Sequence, residues 1–306
     1  MTIKYKKTWL VEICLLGLLS GCASAPDTNA DPMIAHAGLN DVSMDVLFAT
    51  EFPLQSEEDA LSRADQAIQE GQIDKALFYL VRALQFRPDN VDLLLQIAEI
   101  QLQRQKFVFA KRAFLMATAH DPNRSRALEG LGLIDMAAGR DATAVNYLTS
   151  AVANDDRLWR ANNALGIYAD KAGDYSTAIQ HYNLALSINP NAAHVLNNRG
   201  YSRYLAGDLH GASLDFYEAA NDRGFSRAWA NLGKIYAENG WYRSAVKTYK
   251  LVMSEANALN NTAHAAIENG DLQQAEHYLT KAIRLSPTYF PSAEENLSLL
   301  RELQYR

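Results

Sequence analysis

The sequence predicts an all-α chain, a right-handed superhelical solenoid of about seven helix–turn–helix units closed by a C-terminal capping helix. Three phased observations predict it. Seven alanines, Ala76, Ala110, Ala144, Ala178, Ala212, Ala245 and Ala275, recur at intervals of 34, 34, 34, 34, 33 and 30 residues. Four residues after each comes a large apolar side chain, in order Leu80, Phe114, Leu148, Tyr182, Phe216, Tyr249 and Leu279. Seven after stands Ala83, Ala117, Ala151, Ala185, Ala219, Val252 or Ala282, and five before stands Gly71, Gln105, Gly139, Gly173, Gly207, Gly240 or Gly270.

The spacing has a physical reading. Residues three and four apart share a helix face, so each alanine, its large neighbour and the next small residue form one stripe. Small side chains let a second helix come close, and the large one fills the gap left over. The glycine before each stripe suits the left-handed end of a preceding helix. Pro88, Pro122, Pro190 and Pro287 each stand 12 residues after the alanine and stop the second helix. Asp156 and Gly224 replace that proline in the third and fifth units. No such helix pair can bury its own apolar face, so stacking supplies the core. The shortened interval of 30 predicts a bend in the stack or a short first helix in the seventh unit.

The pattern resembles the tetratricopeptide repeat, whose signature is W-x2-L-G-x2-Y, then A-x3-F, then P. The sixth copy is fullest, with Trp229, Leu232, Gly233, Tyr236, Gly240, Ala245 and Tyr249. The fourth follows with Leu165-Gly166, Gly173-Asp174-Tyr175, Ala178, Tyr182, Ala185 and Pro190. The first keeps mainly its second-helix half, as an end repeat does. The array covers residues 57–287, and residues 288–306 are the capping helix, with Leu297, Leu300 and Leu303 on one face.

The array is preceded by a different kind of sequence. Lys4, Lys6 and Lys7 form a basic start and Trp9–Leu19 a short apolar run, interrupted by Glu12. That run is roughly half of what a bilayer-spanning helix needs, so it reads as a signal segment. It ends in Leu19-Ser20-Gly21-Cys22, which resembles the lipobox of bacterial lipoproteins. The resemblance implies a signal peptide over residues 1–21, cleavage before Cys22, and acyl chains (palmitate among them) on that cysteine. Ala23-Ser24-Ala25 offers the alternative of ordinary cleavage and a secreted soluble protein, although Pro26 directly after that cut disfavours it. Residues 22–56 then comprise the lipidated cysteine, a small, polar, Pro-containing tether and an apolar stretch from Met33 to Leu54. That stretch reads as a cap on the first repeat or as a segment lying in the array's own groove.

Composition narrows the functions. The 306 residues carry 29 Lys and Arg against 35 Asp and Glu, a formal charge of −6 that falls to −8 without residues 1–21. This is no footprint for nucleic acid, and no polybasic run addresses lipid headgroups, so acyl chains alone are the expected membrane link. Cys14 leaves with the signal and Cys22 is acylated, which leaves no thiol for a disulfide, a nucleophile or a metal. The seven histidines form no metal-ligand pair, and no phosphate-binding or nucleophile motif is present. We expect no enzyme activity, no cofactor beyond the covalent lipid, and no metal.

What remains is surface for other proteins. In the family, the first helix of each unit lines a groove. Carried onto this chain, its ligand-facing positions are Arg160, Asn163, Asn197, Asn198, Tyr201, Tyr204, Arg227, Asn231 and Lys234. Asparagine amides can pair with both N–H and C=O of an extended peptide, Arg and Lys suit an acidic segment, and Tyr supplies contact area. Asparagine at this position also belongs to the repeat consensus, so these residues serve either the groove or the fold. Leu95, Leu102, Leu133 and Met136 make the second and third units more apolar, as for docking a partner helix.

A lipoprotein of this length and repeat number is similar to outer-membrane assembly lipoproteins. The TadD group of tight-adherence (Flp) pilus systems is the first resemblance, and type IV pilus pilotins of the PilF/PilW kind are the second. Both imply secretin or pilus-assembly subunits as partners. NlpI-like adaptors, which bring a periplasmic protease to its substrate, and soluble periplasmic chaperones are the alternatives. Ala23 rather than Asp after Cys22 resembles lipoproteins sorted to the outer membrane, on its periplasmic face.

Overall fold

The computed structural model describes residues 54, 56–222, 224–286 and 290–304. The expected signal peptide, Cys22 and the segment through residue 53 lie outside the described residues, as does Pro287. Fifteen α-helices occupy the described residues. The first fourteen pair as α1 (Glu57–Gln69) with α2 (Ile73–Phe86), α3 (Val91–Gln103) with α4 (Phe107–His120), and α5 (Ser125–Ala137) with α6 (Asp141–Asn154). Then come α7 (Trp159–Lys171) with α8 (Tyr175–Ile188) and α9 (Ala193–Leu205) with α10 (Leu209–Tyr217). The last pairs are α11 (Arg227–Glu238) with α12 (Tyr242–Tyr249) and α13 (Glu255–Glu268) with α14 (Leu272–Leu285). Helix α15 (Pro291–Gln304) follows. The chain forms two compact parts, one through Ala161 and one from Asn162 onward.

Each turn inside a pair needs one residue in the left-handed region. Glycine fills it six times, from Gly71 to Gly270, and Gln105 fills it once with φ 60. The turn is closed by a backbone bond reaching back five residues, from Gln72 N–H to Ala67 O (2.8 Å) in repeat 1 and from Lys106 N–H to Gln101 O (2.9 Å) in repeat 2. Gln105 therefore makes the same turn without glycine's freedom, at a conformational cost.

The stripes pack as their spacing predicts. All seven phased alanines are fully buried, and so are Leu80, Leu148, Tyr182 and Leu279. In repeats 3 to 6 the first helix answers the large side chain with glycine. A Cβ on Gly166 would lie 2.6 Å from the Tyr182 ring, and one on Gly132 would lie 2.6 Å from Leu148. Phe114 is seated instead over Gly130 of the next repeat, where a Cβ would come within 2.3 Å of its ring. Leu95 and Met136 are buried rather than offered to a partner helix; Leu102 and Leu133 are half-buried.

Repeat 7 differs from expectation. Its first helix, α13, keeps 14 residues, and the missing turn comes out of α12, which has only 8. Val252, expected inside that helix, lies in the turn after it. The reason is local. Ser254 accepts a hydrogen bond from the Asn257 N–H (3.2 Å) and so starts α13 early. Asn269 then donates to the Ala237 carbonyl (3.1 Å) and to the Tyr242 hydroxyl (3.2 Å), tying α13 to repeat 6.

Where proline is missing, other devices end the helix. In repeat 3, Asp155 turns the chain by accepting from the Arg157 N–H (3.0 Å). In repeat 5, α10 widens into a π turn over Glu218–Asp222, and Gly224 follows with φ 69. Helix α15 buries Ala293 and Leu300, closing the apolar face of repeat 7.

Candidate protein-binding face

Eight of the nine side chains expected to meet a ligand lie in the C-terminal part, on α7, α9 and α11. Arg160 belongs to the N-terminal part, where its guanidinium donates to Glu129 Oε2 (2.7 Å) while Glu129 Oε1 accepts from the Ala161 N–H (3.0 Å). Glu129 is buried, so Arg160 supplies the cation that a buried carboxylate needs.

The asparagines pair with one another. Asn198 Nδ2 donates to Asn163 Oδ1 (3.1 Å), joining α7 to α9, and Asn231 Nδ2 donates to Asn197 Oδ1 (2.8 Å), joining α9 to α11. A third rung, from Asn296 Nδ2 to Asn260 Oδ1 (3.0 Å), joins α13 to α15. Asn163, Asn197 and Asn198 are only 6–7% exposed. An amide has two donors and an acceptor with two lone pairs, so each rung uses part of what its members offer. These side chains hold successive first helices in register, and they edge the face rather than stand out from it.

The more accessible groups sit beside the rungs. Tyr201 and Tyr204 on α9 have ring centroids 6.1 Å apart, and both are half-buried. Lys234 on α11 places its ammonium 5.2 Å from the Tyr204 ring centroid, within cation–π range. The Tyr204 hydroxyl donates to Glu238 Oε1 (2.7 Å), and Lys234 lies 3.8 Å from the same carboxylate. Burial pushes the Tyr204 phenol above its ordinary pKa, and the bond to Glu238 pushes it the same way. Arg227, at the start of α11, is exposed. The face is thus a tyrosine pair backed by an asparagine ladder and edged by two cations and one carboxylate.

Glu238 escaped the sequence reading. It stands 34 residues after Tyr204, so the repeat interval itself was the available signal. A buried carboxylate, Asp215, and a half-buried one, Asp170, were also missed. Asp215 accepts from Arg199 Nη2 (2.6 Å) and Arg203 Nη1 (2.8 Å). Asp170 accepts from the Tyr182 hydroxyl (2.7 Å) and the Ser202 hydroxyl (2.6 Å), and burial holds its carboxyl above the usual range despite them. Among the described residues, no three His, Cys, Asp or Glu side chains gather as a metal site requires.

Models of the tetratricopeptide repeat match residues 67–134, 131–193, 163–224, 226–258 and 256–289, together well over half of the chain. The chain belongs to the tetratricopeptide-repeat family. A comparison with curated proteins finds no match. Several solved structures are similar in fold. The PilF protein of Pseudomonas aeruginosa is 21% identical, with 68% of this chain and 96% of that chain covered at a TM-score of 0.52. A tetratricopeptide repeat protein from Parabacteroides merdae is 16% identical, with 81% and 99% covered at 0.52. The C-terminal part of a repeat protein from Cytophaga hutchinsonii is 16% identical, with 78% and 99% covered at 0.53. At these identities the likeness is one of fold. Tetratricopeptide arrays serve as protein–protein interaction scaffolds, and that is the function class of this chain.

Proposed function

We propose that this tetratricopeptide scaffold is anchored through acyl chains on Cys22 to the periplasmic face of the outer membrane. There its C-terminal part holds a subunit of a secretin or pilus-assembly complex. The observation that carries the binding half is the Tyr201–Tyr204–Lys234–Arg227 group, because tyrosine and arginine beside a water-poor polar ladder are the residues that dominate protein interfaces. Arg227 suits an acidic segment or a chain terminus. Asn163, Asn197, Asn198 and Asn231 fix the face's shape and offer their remaining amide valences to a backbone, and Arg160 extends the same series of positions. The lipobox-like Leu19-Ser20-Gly21-Cys22 supports the anchor, and the resemblance to pilus-assembly lipoproteins supports the partner class.

Two experiments test the two halves separately. Labelled palmitate should enter the wild-type protein and not Cys22→Ser; absence of label from the wild type would remove the anchor. For the face, the wild type and a Tyr201→Ala/Arg227→Ala variant are compared in pull-downs from envelope extract, probed for secretin and pilus-assembly subunits. The variant should capture its partner about tenfold less well or worse, at unchanged helicity. Equal capture by both proteins contradicts the assignment.

A further inference from the structure

The outward side of α2 is sheltered where the same side of every other second helix is open. Leu77 is 2% exposed, whereas none of the residues at its matching positions, from Lys111 to Glu276, is buried. Phe78 and Val81 are half-buried, whereas the residues matching them are exposed in every other repeat, from Arg112 to His277 and from Leu115 to Thr280. Repeat 1 has no repeat before it among the described residues, so its helices should be the more open ones. The helices packed on α2 are of the same kind as in the other repeats, and they do not account for the difference.

The chain enters the repeat beside this side. Leu54, shortly before α1, packs with Phe78 and Val81 against the core cluster that contains Leu77. One leucine does not cover three side chains spread over a helical turn, but the residues leading up to it supply more. Residues 33–53 include Leu47, Phe48 and Phe52. From Leu54 back to Phe48 the extended chain reaches about 20 Å, which matches the length of the 14-residue α2. Charge agrees with this placement. Residues 33–53 carry Asp41, Asp45 and Glu51 and no Lys or Arg, while Lys75 and Arg82 stand one turn before and one turn after Phe78.

We propose that residues 33–53 lie along the outward side of α2, with Leu47, Phe48 and Phe52 over Leu77, Phe78 and Val81. Burial of two rings and a leucine opposes the entropy of ordering the segment, and the short connection through Leu54 keeps its effective concentration high. Of the two placements the sequence left open for this stretch, the docking makes it a cap on repeat 1 and leaves the array's groove to a partner. With Cys22 as the anchor proposed above, only residues 23–32 then remain to span from the membrane to the cap, at most about 35 Å. That consequence rests on the anchor; the docking does not.

The test is thiol reactivity in the full chain with Cys14→Ser and Cys22→Ser, so that one introduced cysteine is the only thiol. Val81→Cys should react with a water-soluble maleimide about tenfold more slowly than Thr149→Cys, its match in repeat 3. Adding Leu47→Asp and Phe48→Asp should speed Val81→Cys about tenfold and leave Thr149→Cys unchanged, at retained helicity. Ala83→Cys, in the buried stripe of the same helix, should stay unreactive throughout, which shows that repeat 1 remains folded. Equal rates for Val81→Cys and Thr149→Cys overturn the proposal, as does protection of Val81→Cys that survives the two aspartates. Equal acceleration of Val81→Cys and Ala83→Cys also overturns it, because the segment would then serve the folding of repeat 1 rather than cover this side. Protection that the aspartates remove from Tyr201→Cys rather than from Val81→Cys would put the segment in the groove and overturn it as well.

Discussion

The N-terminal part and the C-terminal part are built from the same repeat but hold their polar groups differently. In the N-terminal part the first helices meet through Leu93, Leu94, Leu95, Ile97 and Leu131, and the buried carboxylates Asp135 and Glu129 are neutralised by cations. In the C-terminal part the facing positions carry asparagine rungs; buried Asp215 is met by two arginines, as in the first part, but half-buried Asp170 is met by the Ser202 and Tyr182 hydroxyls. The interval is a strict 34 in the first part and loosens to 33 and 30 in the second. Apolar layers tolerate only close packing, whereas amide rungs add direction, and a surface that must present fixed polar groups to a partner gains from that direction. The difference is the reason the proposed binding face is placed on the second part.

Cutting into each part should expose that difference. Phe114→Ala removes a ring seated over Gly130 in the apolar part and should cost about 3–5 kcal/mol, measured by urea denaturation. Ala178→Leu overpacks the contact between the two helices of repeat 4 and should cost about 1–3 kcal/mol, with hydrogen exchange rising most within the C-terminal part near repeats 4 and 5. Asn198→Ala removes the donor of a rung and leaves Asn163 without it, at about 1–3 kcal/mol. The sequence alone left Asn198 and Asn231 to serve either the groove or the fold. The pairing of Asn198 with Asn163 and of Asn231 with Asn197 predicts a loss in stability as well as in binding.

The buried carboxylates sharpen the comparison through pH. Asp135 loses solvation on burial, but hydrogen bonds from Arg140, Lys111 and Thr143 outweigh that loss and hold its pKa at about 2. Its folded value lies below its unfolded one, so its contribution is present above pH ~4 and is lost as pH falls toward 2. Asp170 has the opposite sign. Burial raises its folded pKa above the unfolded value, so its favourable contribution is present below pH ~4 and is lost as pH rises through the raised value. Asp170→Asn should therefore raise the melting temperature at neutral pH and narrow the gain in acid, whereas Asp135→Asn should lower it at neutral pH.

The repeat boundaries were legible because they rest on residues that act through size and backbone freedom. Alanine at a close helix contact and glycine in a left-handed turn leave the same mark wherever they occur. The smallest expected effect comes from the one turn that breaks the rule: Gln105→Gly should stabilise the protein by about 0.5–1 kcal/mol, because φ 60 costs glycine nothing. The shortening of α12 was not legible. The interval of 30 shows that four residues are gone but not which helix yields them, and Ser254 as a cap decides that locally. Nor were the asparagine rungs legible: one-letter spacing places Asn197 and Asn231 on one face but not against each other. Among site residues, the positions were set by period and the partners by three-dimensional packing.

Photo-crosslinking in the intact envelope locates the partner on one part or the other, with a crosslinking amino acid placed at Tyr201 in one strain and at Phe109 in another. A discrete protein adduct is expected from Tyr201, identified by mass spectrometry as a secretin or pilus-assembly subunit, and no such adduct from Phe109. An adduct of that subunit from Phe109 with none from Tyr201 would contradict the placement of the binding face on the C-terminal part.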